Sequence, residues 1–381
     1  MRALRVTAVI ILALVLIGAV VQVALDRERK TLDATAREKV ASQFARLSDG
    51  ITEYKLEGPG DGRTVVLLSG ATVPFYIWDS TSAALVAKGY RVLRYNYYGR
   101  GFSDRPALRY DLATYDRQLT QLLDTLGIRG PVDVAGLSMG GAVAASFADL
   151  HPDRVHTLTL VDPAIGTSRD TPLALRVPGL ATLAMTLGAS AMAKGQLDDF
   201  VHPERYPDWV PRYEVQMQYK GFRRSVLETS RGDVFKRPAS SFTTLMRSPI
   251  PILLLWGKSD RTVPFAQSDS VRAAFQRAEF HAIDGAAHLP NIERAAAVDS
   301  IVLEFLRRTR EATHEGTSSA APARSPIRDP AAGSCTRTSG CTVAITVIRS
   351  SCIRSRACDF AAAGGRARVV AGAVRGEALR W

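Results

Sequence analysis

The stretch VDVAGLSMGGAVAA (Val132–Ala145) places one serine among three glycines, between a β-branched run and an alanine-rich run. The first run predicts a strand and the second a helix, so Ser138 stands where one turns into the other. Such a corner crowds the backbone and forces an unfavourable conformation, which Gly136, Gly140 and Gly141 relieve. The residues match G-x-S-x-G in the strand–turn–helix context that presents a nucleophilic serine.

A serine hydroxyl barely ionises at neutral pH, so it needs a base within reach and an acid to orient that base. Among the six histidines, His288 in DGAAHLPNIE follows a predicted strand and precedes the last predicted helix. Asp260 in LLLWGKSDRTVP lies just past a very apolar strand, where a carboxylate is costly unless it is needed at the sheet edge. Asp162, at the end of another strand, is the second candidate for the acid. We therefore predict Ser138 as nucleophile, His288 as base and Asp260 as acid.

Attack on a carbonyl also requires donors for the oxyanion that forms. Met139 can offer its backbone N–H from the start of the helix, and Ala71 can offer its own from the loop after the strand VVLLSG. Backbone donors leave no side-chain signature. The prediction for Ala71 therefore depends on its position alone.

Strand-like and helical runs alternate along residues 51–310, which predicts an α/β fold with a mainly parallel sheet covered by helices on both faces. One gap of more than eighty residues interrupts this alternation, between Asp162 and Pro249. An unstructured loop of that length is improbable in a compact domain. We expect an inserted helical subdomain at about residues 164–247, over one edge of the sheet.

Together these motifs resemble the α/β-hydrolase family, in particular its serine esterase and lipase-like members with a helical cap. The resemblance covers residues 51–310, and the order nucleophile, acid, histidine is the family's order. It implies Ser138, Asp260 and His288 as the catalytic triad, and it implies that the insertion is the family's cap. Two departures border the expected pocket: Ser69-Gly70 stands where the family commonly has His-Gly, and Asn96 stands where it commonly has aspartate.

With a serine nucleophile, the resemblance implies hydrolysis of carboxylic esters through an acyl-enzyme, with a small-molecule acyl ester as substrate. The apolar insertion favours acyl groups with a hydrophobic portion. Thioester cleavage and carbon–carbon bond hydrolysis on the same triad stay open, as does a membrane-tethered ligand-binding protein without turnover. We expect no metal and no organic cofactor.

The formal charge of +12 lies largely in the two ends of the chain. Residues 311–381 hold ten arginines and five acids, and residues 1–50 hold eight bases and five acids. A nucleic-acid partner is therefore poorly supported, because no folded element concentrates the basic excess. Residues 311–381 are rich in Arg, Ala, Gly, Ser and Pro, and we expect them to be disordered. Their four cysteines follow no recognised zinc spacing.

The N-terminus contains twenty residues without a charge, Val6–Leu25, which is long enough for a helix to cross the hydrocarbon core of a bilayer. A poor cleavage site favours an uncleaved membrane anchor over residues 1–25. The alternative is a cleaved signal segment, which would leave a secreted or periplasmic protein. Residues 26–50 are charged, and we expect them to form a helical stalk. Oligomeric state and membrane orientation stay open.

Overall fold

The computed structural model describes residues 1–167 and 173–318. Within them, an eight-stranded sheet has the strand order β1-β2-β4-β3-β5-β6-β7-β8. The strands are β1 (Gln43–Leu47), β2 (Gly50–Glu57), β3 (Thr64–Leu68), β4 (Arg91–Tyr95), β5 (Val132–Leu137), β6 (Val155–Val161), β7 (Ile252–Gly257) and β8 (Glu279–Ile283). β1 and β2 pair antiparallel at one edge, β2 pairs antiparallel with β4, and the pairs from β4 to β8 are parallel. The predicted α/β fold is confirmed.

Helices cover the sheet, and most of them lie between consecutive parallel strands. The α-helices are α1 (Arg2–Leu25), α2 (Ala34–Glu38), α3 (Asp79–Ala87), α4 (Leu112–Thr125), α5 (Met139–Leu150), α6 (Leu173–Arg176), α7 (Pro178–Leu187), α8 (Ala189–Gly195), α9 (Trp209–Met217), α10 (Phe222–Arg231), α11 (Thr243–Arg247), α12 (Ser268–Ala274), α13 (Pro290–Glu293) and α14 (Ala295–Ser318). The stretch from α6 to α11 lies between β6 and β7. We refer to α6–α11 as the cap helices.

The central strands are apolar on both faces because helices cover both. In β3, Val66 and Leu68 belong to one hydrophobic cluster, whereas Val65 and Leu67 belong to another. Neighbouring side chains of a strand point to opposite faces, so the two clusters are the two sides of the sheet. Each fully buried aliphatic side chain contributes about 1.5–3 kcal/mol to folding. These central strands therefore hold the carboxyl edge of the sheet rigidly in place.

Residues 26–50 do not form the expected helical stalk. Helix is limited to α2, and Gln43–Leu47 is the edge strand β1, paired with β2. The alternation in QFARL explains this outcome, because Ala45 and Leu47 point into the core while their neighbours are more exposed. The folded domain therefore begins before residue 51.

The last helix also departs from the prediction. Helix α14 continues to Ser318. Residues 311–318 are therefore helical, whereas we expected the disordered tail to begin at residue 311. Ion pairs of Arg307 with Glu304 and Glu311, three and four residues away, stabilise the helix across that boundary. The rest of the predicted tail, including the four cysteines, lies outside the described residues.

Helix α1 is apolar and almost entirely exposed, with no buried residue along its length. Its 24 residues are long and apolar enough to cross a membrane. A signal sequence near an N-terminus has the same properties. Length and composition thus identify a candidate membrane span but do not distinguish a membrane anchor from a signal sequence.

Candidate active site

Ser138 lies between β5 and α5 with a positive φ of 53° and a ψ of −120°. Non-glycine residues rarely adopt a positive φ, and such strain is concentrated at functional sites. The flanking glycines are required sterically: a Cβ on Gly136 would lie 2.1 Å from the Gly140 carbonyl oxygen, and one on Gly140 would lie 2.3 Å from that of Leu68. The sharp turn predicted around Ser138 is therefore present.

His288 and Asp260 are brought together at the carboxyl edge of the sheet, after β8 and β7. Both are buried, and His288 Nδ1 lies 2.7 Å from Asp260 Oδ2. The other carboxylate oxygen, Oδ1, accepts hydrogen bonds from the backbone N–H groups of Thr262 at 2.8 Å and Val263 at 2.9 Å. These bonds fix the carboxylate, which in turn orients the imidazole with Nε2 left for other partners. Ser138 follows β5 at this same edge.

The pKa of His288 is set by opposing effects. Burial disfavours the imidazolium, but the hydrogen bond to Asp260, the charge of Asp260 and the charge of Asp199 outweigh burial. The pKa of His288 is consequently raised above its ordinary value. His288 is therefore a stronger base than an ordinary histidine, although its imidazole becomes neutral only at a higher pH.

Asp162, the second candidate for the acid, takes a different position. It is fully buried with φ 42°, and its Oδ1 accepts a hydrogen bond from the Gly257 backbone N–H at 2.8 Å. Its Oδ2 is buried without a donor among the described residues. Burial, followed by the charge of Asp260, raises the pKa of Asp162 well above its ordinary value. Asp260, rather than Asp162, is thus the carboxylate bonded to His288.

Asp162, Asp260 and His288 each offer one potential ligand atom, all within 4.8 Å of one another, which is close enough for a metal ion. The hydrogen bonds that these atoms make indicate a role other than metal binding. The Asp260–His288 hydrogen bond already occupies one atom of each residue, and two backbone amides occupy the second oxygen of Asp260. We therefore interpret the cluster as a hydrogen-bonded Asp260–His288 pair with a second buried carboxylate, Asp162, beside it.

The predicted oxyanion donors lie beside Ser138. Met139 begins α5, and the first backbone N–H groups of a helix have no partner within it. The loop after β3 approaches from the other side, since a Cβ on Gly70 would lie 3.7 Å from the Ser138 Cβ. Ala71 follows directly in that loop. Met139 is thus adjacent to Ser138 in the chain, and Ala71 follows the glycine that approaches Ser138.

Two side chains that the sequence did not single out hold this loop. The guanidinium of Arg100, which is buried, donates to the Ala71 carbonyl oxygen. Gln216 of cap helix α9 donates to the Thr72 carbonyl oxygen at 2.8 Å and accepts from the Gly101 backbone N–H at 3.0 Å. Nothing in a lone Arg or Gln signals such contacts, because they depend on the packing of the cap. The cap thus helps to position the loop that carries Ala71.

Asn96, one of the two departures from the family pattern, has a structural explanation. Its side-chain amide donates to Glu53 Oε2 at 2.5 Å, and its carbonyl oxygen accepts from the Phe75 backbone N–H at 2.7 Å. An aspartate would bring a second carboxylate against Glu53 and lose the donor. Asparagine at this position is therefore matched to Glu53.

The remaining histidines with described side chains lie in other settings. His151 pairs with Asp116, and His281 pairs with Glu279 within β8. His202 lies beside the exposed Glu204, and His156 is partly buried in β6. Among all the histidines with described side chains, His288 alone is bonded to a buried carboxylate at the carboxyl edge of the sheet.

Asp199 of the cap is a second residue that the sequence left unnoticed. Its carbonyl oxygen accepts from the His288 backbone N–H at 3.0 Å, and its carboxylate accepts from the Thr262 hydroxyl. Its charge is among the influences that raise the pKa of His288. The cap thereby acts on the histidine electrostatically as well as by contact.

We predict that Asp199→Asn moves the acid limb of the pH profile of kcat/KM to lower pH. Removing the negative charge lowers the pKa of His288, so the neutral base is populated in more acidic solution. Measurement of kcat/KM between about pH 5 and 9 tests this, since the ordinary histidine pKa is about 6.5. Asp198→Asn, at the exposed neighbouring residue, is the control and should leave the limb in place. An unmoved limb in Asp199→Asn would refute the electrostatic role.

The chain is similar in sequence and in structure to several known enzymes. Residues 63–295 match the family model described as alpha/beta hydrolase fold. A 2-hydroxy-6-oxononadienedioate/2-hydroxy-6-oxononatrienedioate hydrolase of Cupriavidus pinatubonensis is 28% identical over 71% of this chain and 96% of its own. A non-heme chloroperoxidase of Streptomyces lividans is 26% identical over 56% and 80%, respectively. The solved enol-lactonase of Burkholderia xenovorans LB400 is 25% identical with a TM-score of 0.59, over 70% of this chain and 100% of that one. Since the family model matches more than half of its residues, the chain belongs to the alpha/beta hydrolase family.

Proposed function

We propose that the protein is a serine hydrolase that cleaves carboxylic esters through an acyl-enzyme. The observation that carries this proposal is the strained Ser138 at the same sheet edge as the buried His288–Asp260 pair. A protein that only bound a ligand would need neither the strain nor a carboxylate held against a histidine. This argues against the non-catalytic alternative.

In the proposed reaction, Ser138 Oγ attacks the ester carbonyl carbon while His288 Nε2 accepts its proton. The carbonyl oxygen becomes an oxyanion that the backbone N–H groups of Met139 and Ala71 stabilise. His288 then donates the proton to the leaving alkoxide as the ester bond breaks. Water, deprotonated by His288, attacks the acyl carbon. The bond from that carbon to Ser138 Oγ then breaks, His288 returns the proton to Oγ, and the carboxylic acid is released. Throughout, Asp260 stabilises the imidazolium that forms in each half of the reaction.

We further propose that the substrate is an ester with a hydrophobic acyl group. The helices of the cap supply many apolar side chains, and the enol-lactonase among the solved relatives is named for an ester-type bond. A second candidate rests on the Cupriavidus relative. Its substrate name contains an enol and a ketone but no ester, so hydrolysis there would break a carbon–carbon bond. A third candidate reaction is thioester cleavage by the same catalytic groups.

We also propose that α1 stays attached and anchors the protein to a membrane, with a cleaved signal as the alternative. Residues just after α1 support this, because they bind the cap. Arg27 pairs with Glu214 at 2.7 Å, and Asp26 pairs with Arg223 at 3.1 Å. These pairs hold the end of α1 against the folded domain, and the contact between Gly18 and Leu183 of the cap lies within α1 itself.

A substrate series tests the proposed class. For p-nitrophenyl acetate, butyrate and octanoate, we expect kcat/KM to rise by about tenfold or more from acetate to octanoate, since each buried methylene adds binding energy. An acetyl thioester and a dienedioate with an enol and a ketone serve as comparison substrates. A sharp preference for acetate would refute the hydrophobic acyl group. Turnover of the dienedioate alone would establish the carbon–carbon hydrolase instead.

A further inference from the structure

Cap helix α7 lies beside the candidate membrane span. A Cβ on Gly18 of α1 would lie 3.7 Å from Leu183 Cδ2 of α7, and Gly18, Val21 and Gln22 are the half-buried residues of this part of α1. Their spacing of three and four residues places them on one face of the helix. The face of α1 that they define is therefore the one that contacts the cap.

The position of this contact along α1 sets its depth in a membrane. Gly18 precedes Leu25, the last residue of α1, by seven positions, which at helical rise is about 10 Å. The first charged residues after the helix, Asp26 and Arg27, belong at or beyond the end of the hydrocarbon core. Leu183 therefore lies about 10 Å inside that core when α1 spans it, which is a third of the usual thickness of about 30 Å.

The sequence of α7 suits such an environment. Pro178–Leu187 reads PGLATLAMTL and contains no charged residue. Leu180 and Leu187 are 54% and 56% exposed, and Leu183 lies between them at helical spacing. A soluble surface seldom leaves two leucines this exposed on one face beside an apolar helix. The exposed surface formed by Leu180 and Leu187, next to the Leu183 contact with α1, is here called the α7 face.

Polar contacts near the C-terminal ends of α7 and α1 hold the two helices at the same level. Arg223 of α10 donates to the Thr186 hydroxyl of α7 at 2.8 Å and also pairs with Asp26. The Glu28 carboxylate accepts from the backbone N–H groups of Gly221 and Arg223. These bonds tie the end of the span to the cap at several points. Helix α7 cannot leave the level of α1 without breaking them.

We propose that α7 is inserted into the near leaflet of the bilayer, with the α7 face in contact with lipid acyl chains. This inference rests on the proposed membrane anchoring by α1 and goes beyond it, because it makes the cap a second membrane-binding element. The cap, whose residues Gln216 and Asp199 contact the loops around the site, is then held at the leaflet from which a hydrophobic ester would arrive. Apolar contact and fixed depth, rather than charge, determine the orientation of the domain on the membrane.

Depth-dependent quenching tests the insertion in the full chain. Leu180→Cys and Leu187→Cys, in a background with Cys335, Cys341, Cys352 and Cys358 changed to serine, are labelled with the fluorophore NBD and reconstituted in phosphatidylcholine vesicles. We expect doxyl-labelled phosphatidylcholine to remove most of the fluorescence at both positions. Leu150→Cys is the matched control: Leu150 is 54% exposed and ends α5, at the edge of the sheet opposite the cap. It should keep its fluorescence.

The outcomes separate this inference from the proposals on which it rests. A protein that does not float with vesicles overturns both the anchoring and the insertion. Flotation with no more quenching at residues 180 and 187 than at 150 overturns the insertion alone. Disulfide cross-linking of two copies through Leu180→Cys, without quenching, would assign the α7 face to self-association. Turnover of a water-soluble ester is measured in parallel and reports on the serine hydrolase by itself.

A second pair of variants examines the consequence for turnover. Leu180→Asp with Leu187→Asp should lower turnover of an ester embedded in vesicles by about tenfold, since an aspartate is costly in hydrocarbon. Turnover of soluble p-nitrophenyl acetate should be unchanged, which shows that the fold is intact. Leu150→Asp should affect neither substrate. Equal losses on both substrates, or no loss on vesicles, would contradict the inference.

Discussion

Ser138→Ala is expected to lower kcat/KM for a p-nitrophenyl ester by about 10⁴-fold or more. The variant removes the only oxygen proposed to form the acyl-enzyme, whereas the oxyanion donors and the substrate pocket stay in place. Alanine has the same Cβ as serine, so the positive φ of 53° costs the variant no additional strain. Circular dichroism and Tm should therefore match those of the wild type.

Ser146→Ala provides a matched control in the same helix. Ser146 is buried in α5, and its hydroxyl has no hydrogen-bond partner among the described residues. The same substitution there should leave kcat/KM within about twofold, because a buried hydroxyl without a partner contributes nothing that alanine lacks. Retention of activity in Ser138→Ala would assign hydrolysis to another group.

Asp260→Asn is expected to lower kcat by about 10⁴-fold, since loss of the carboxylate charge both lowers the pKa of His288 and removes the preference for the correct tautomer. Asp162→Asn, the same change at the neighbouring buried aspartate, should cost less than about tenfold. Asp162 is not bonded to His288, and burial followed by the charge of Asp260 raises its pKa well above its ordinary value, so an uncharged amide is a close replacement there. Asparagine keeps an oxygen for the Gly257 backbone N–H and tolerates a positive φ.

The stability of Asp162→Asn gives an independent check of the raised pKa of Asp162. An acid whose pKa is raised on folding binds more protons in the folded state than in the unfolded state. The folded protein therefore loses stability as pH rises above the unfolded pKa of that acid, about 3.9. The asparagine variant has no such dependence. Its Tm relative to the wild type should therefore increase as pH rises above about 4 and level off once the pKa of the folded wild-type Asp162 is passed. A large loss of activity in Asp162→Asn with little loss in Asp260→Asn would reverse the two assignments.

The local features of the nucleophile turn could be predicted from the sequence because their causes are local. Gly136 is required by a contact with the Gly140 carbonyl oxygen that the turn itself creates, whereas Gly140 and Gly141 leave room for the neighbouring segments at Leu68 and Pro163. The positions of Asp260 and His288 followed from their location directly after predicted strands, because parallel strands bring their carboxyl ends to one edge. The fold followed from the same alternation of strands and helices.

Features that depend on packing between distant segments could not be predicted. Gln216 and Asp199 act on the site only because the cap is folded against the sheet edge. The raised pKa of Asp162 requires the proximity of Asp260, which no spacing in the sequence reveals. Strand β1 was mistaken for part of a helix because its five residues are too few for a period of two to be distinguished in a charged stretch.

Covalent labelling with a fluorophosphonate, followed by mass spectrometry of the labelled peptide, tests the role of Ser138 most directly. The probe forms a stable adduct only with a serine oxygen that a neighbouring base activates. We predict one adduct on the peptide that contains Ser138, absent in Ser138→Ala and strongly reduced in His288→Gln. A folded wild-type protein that stays unlabelled, or an adduct on a different serine, would contradict the proposal that Ser138 is the nucleophile.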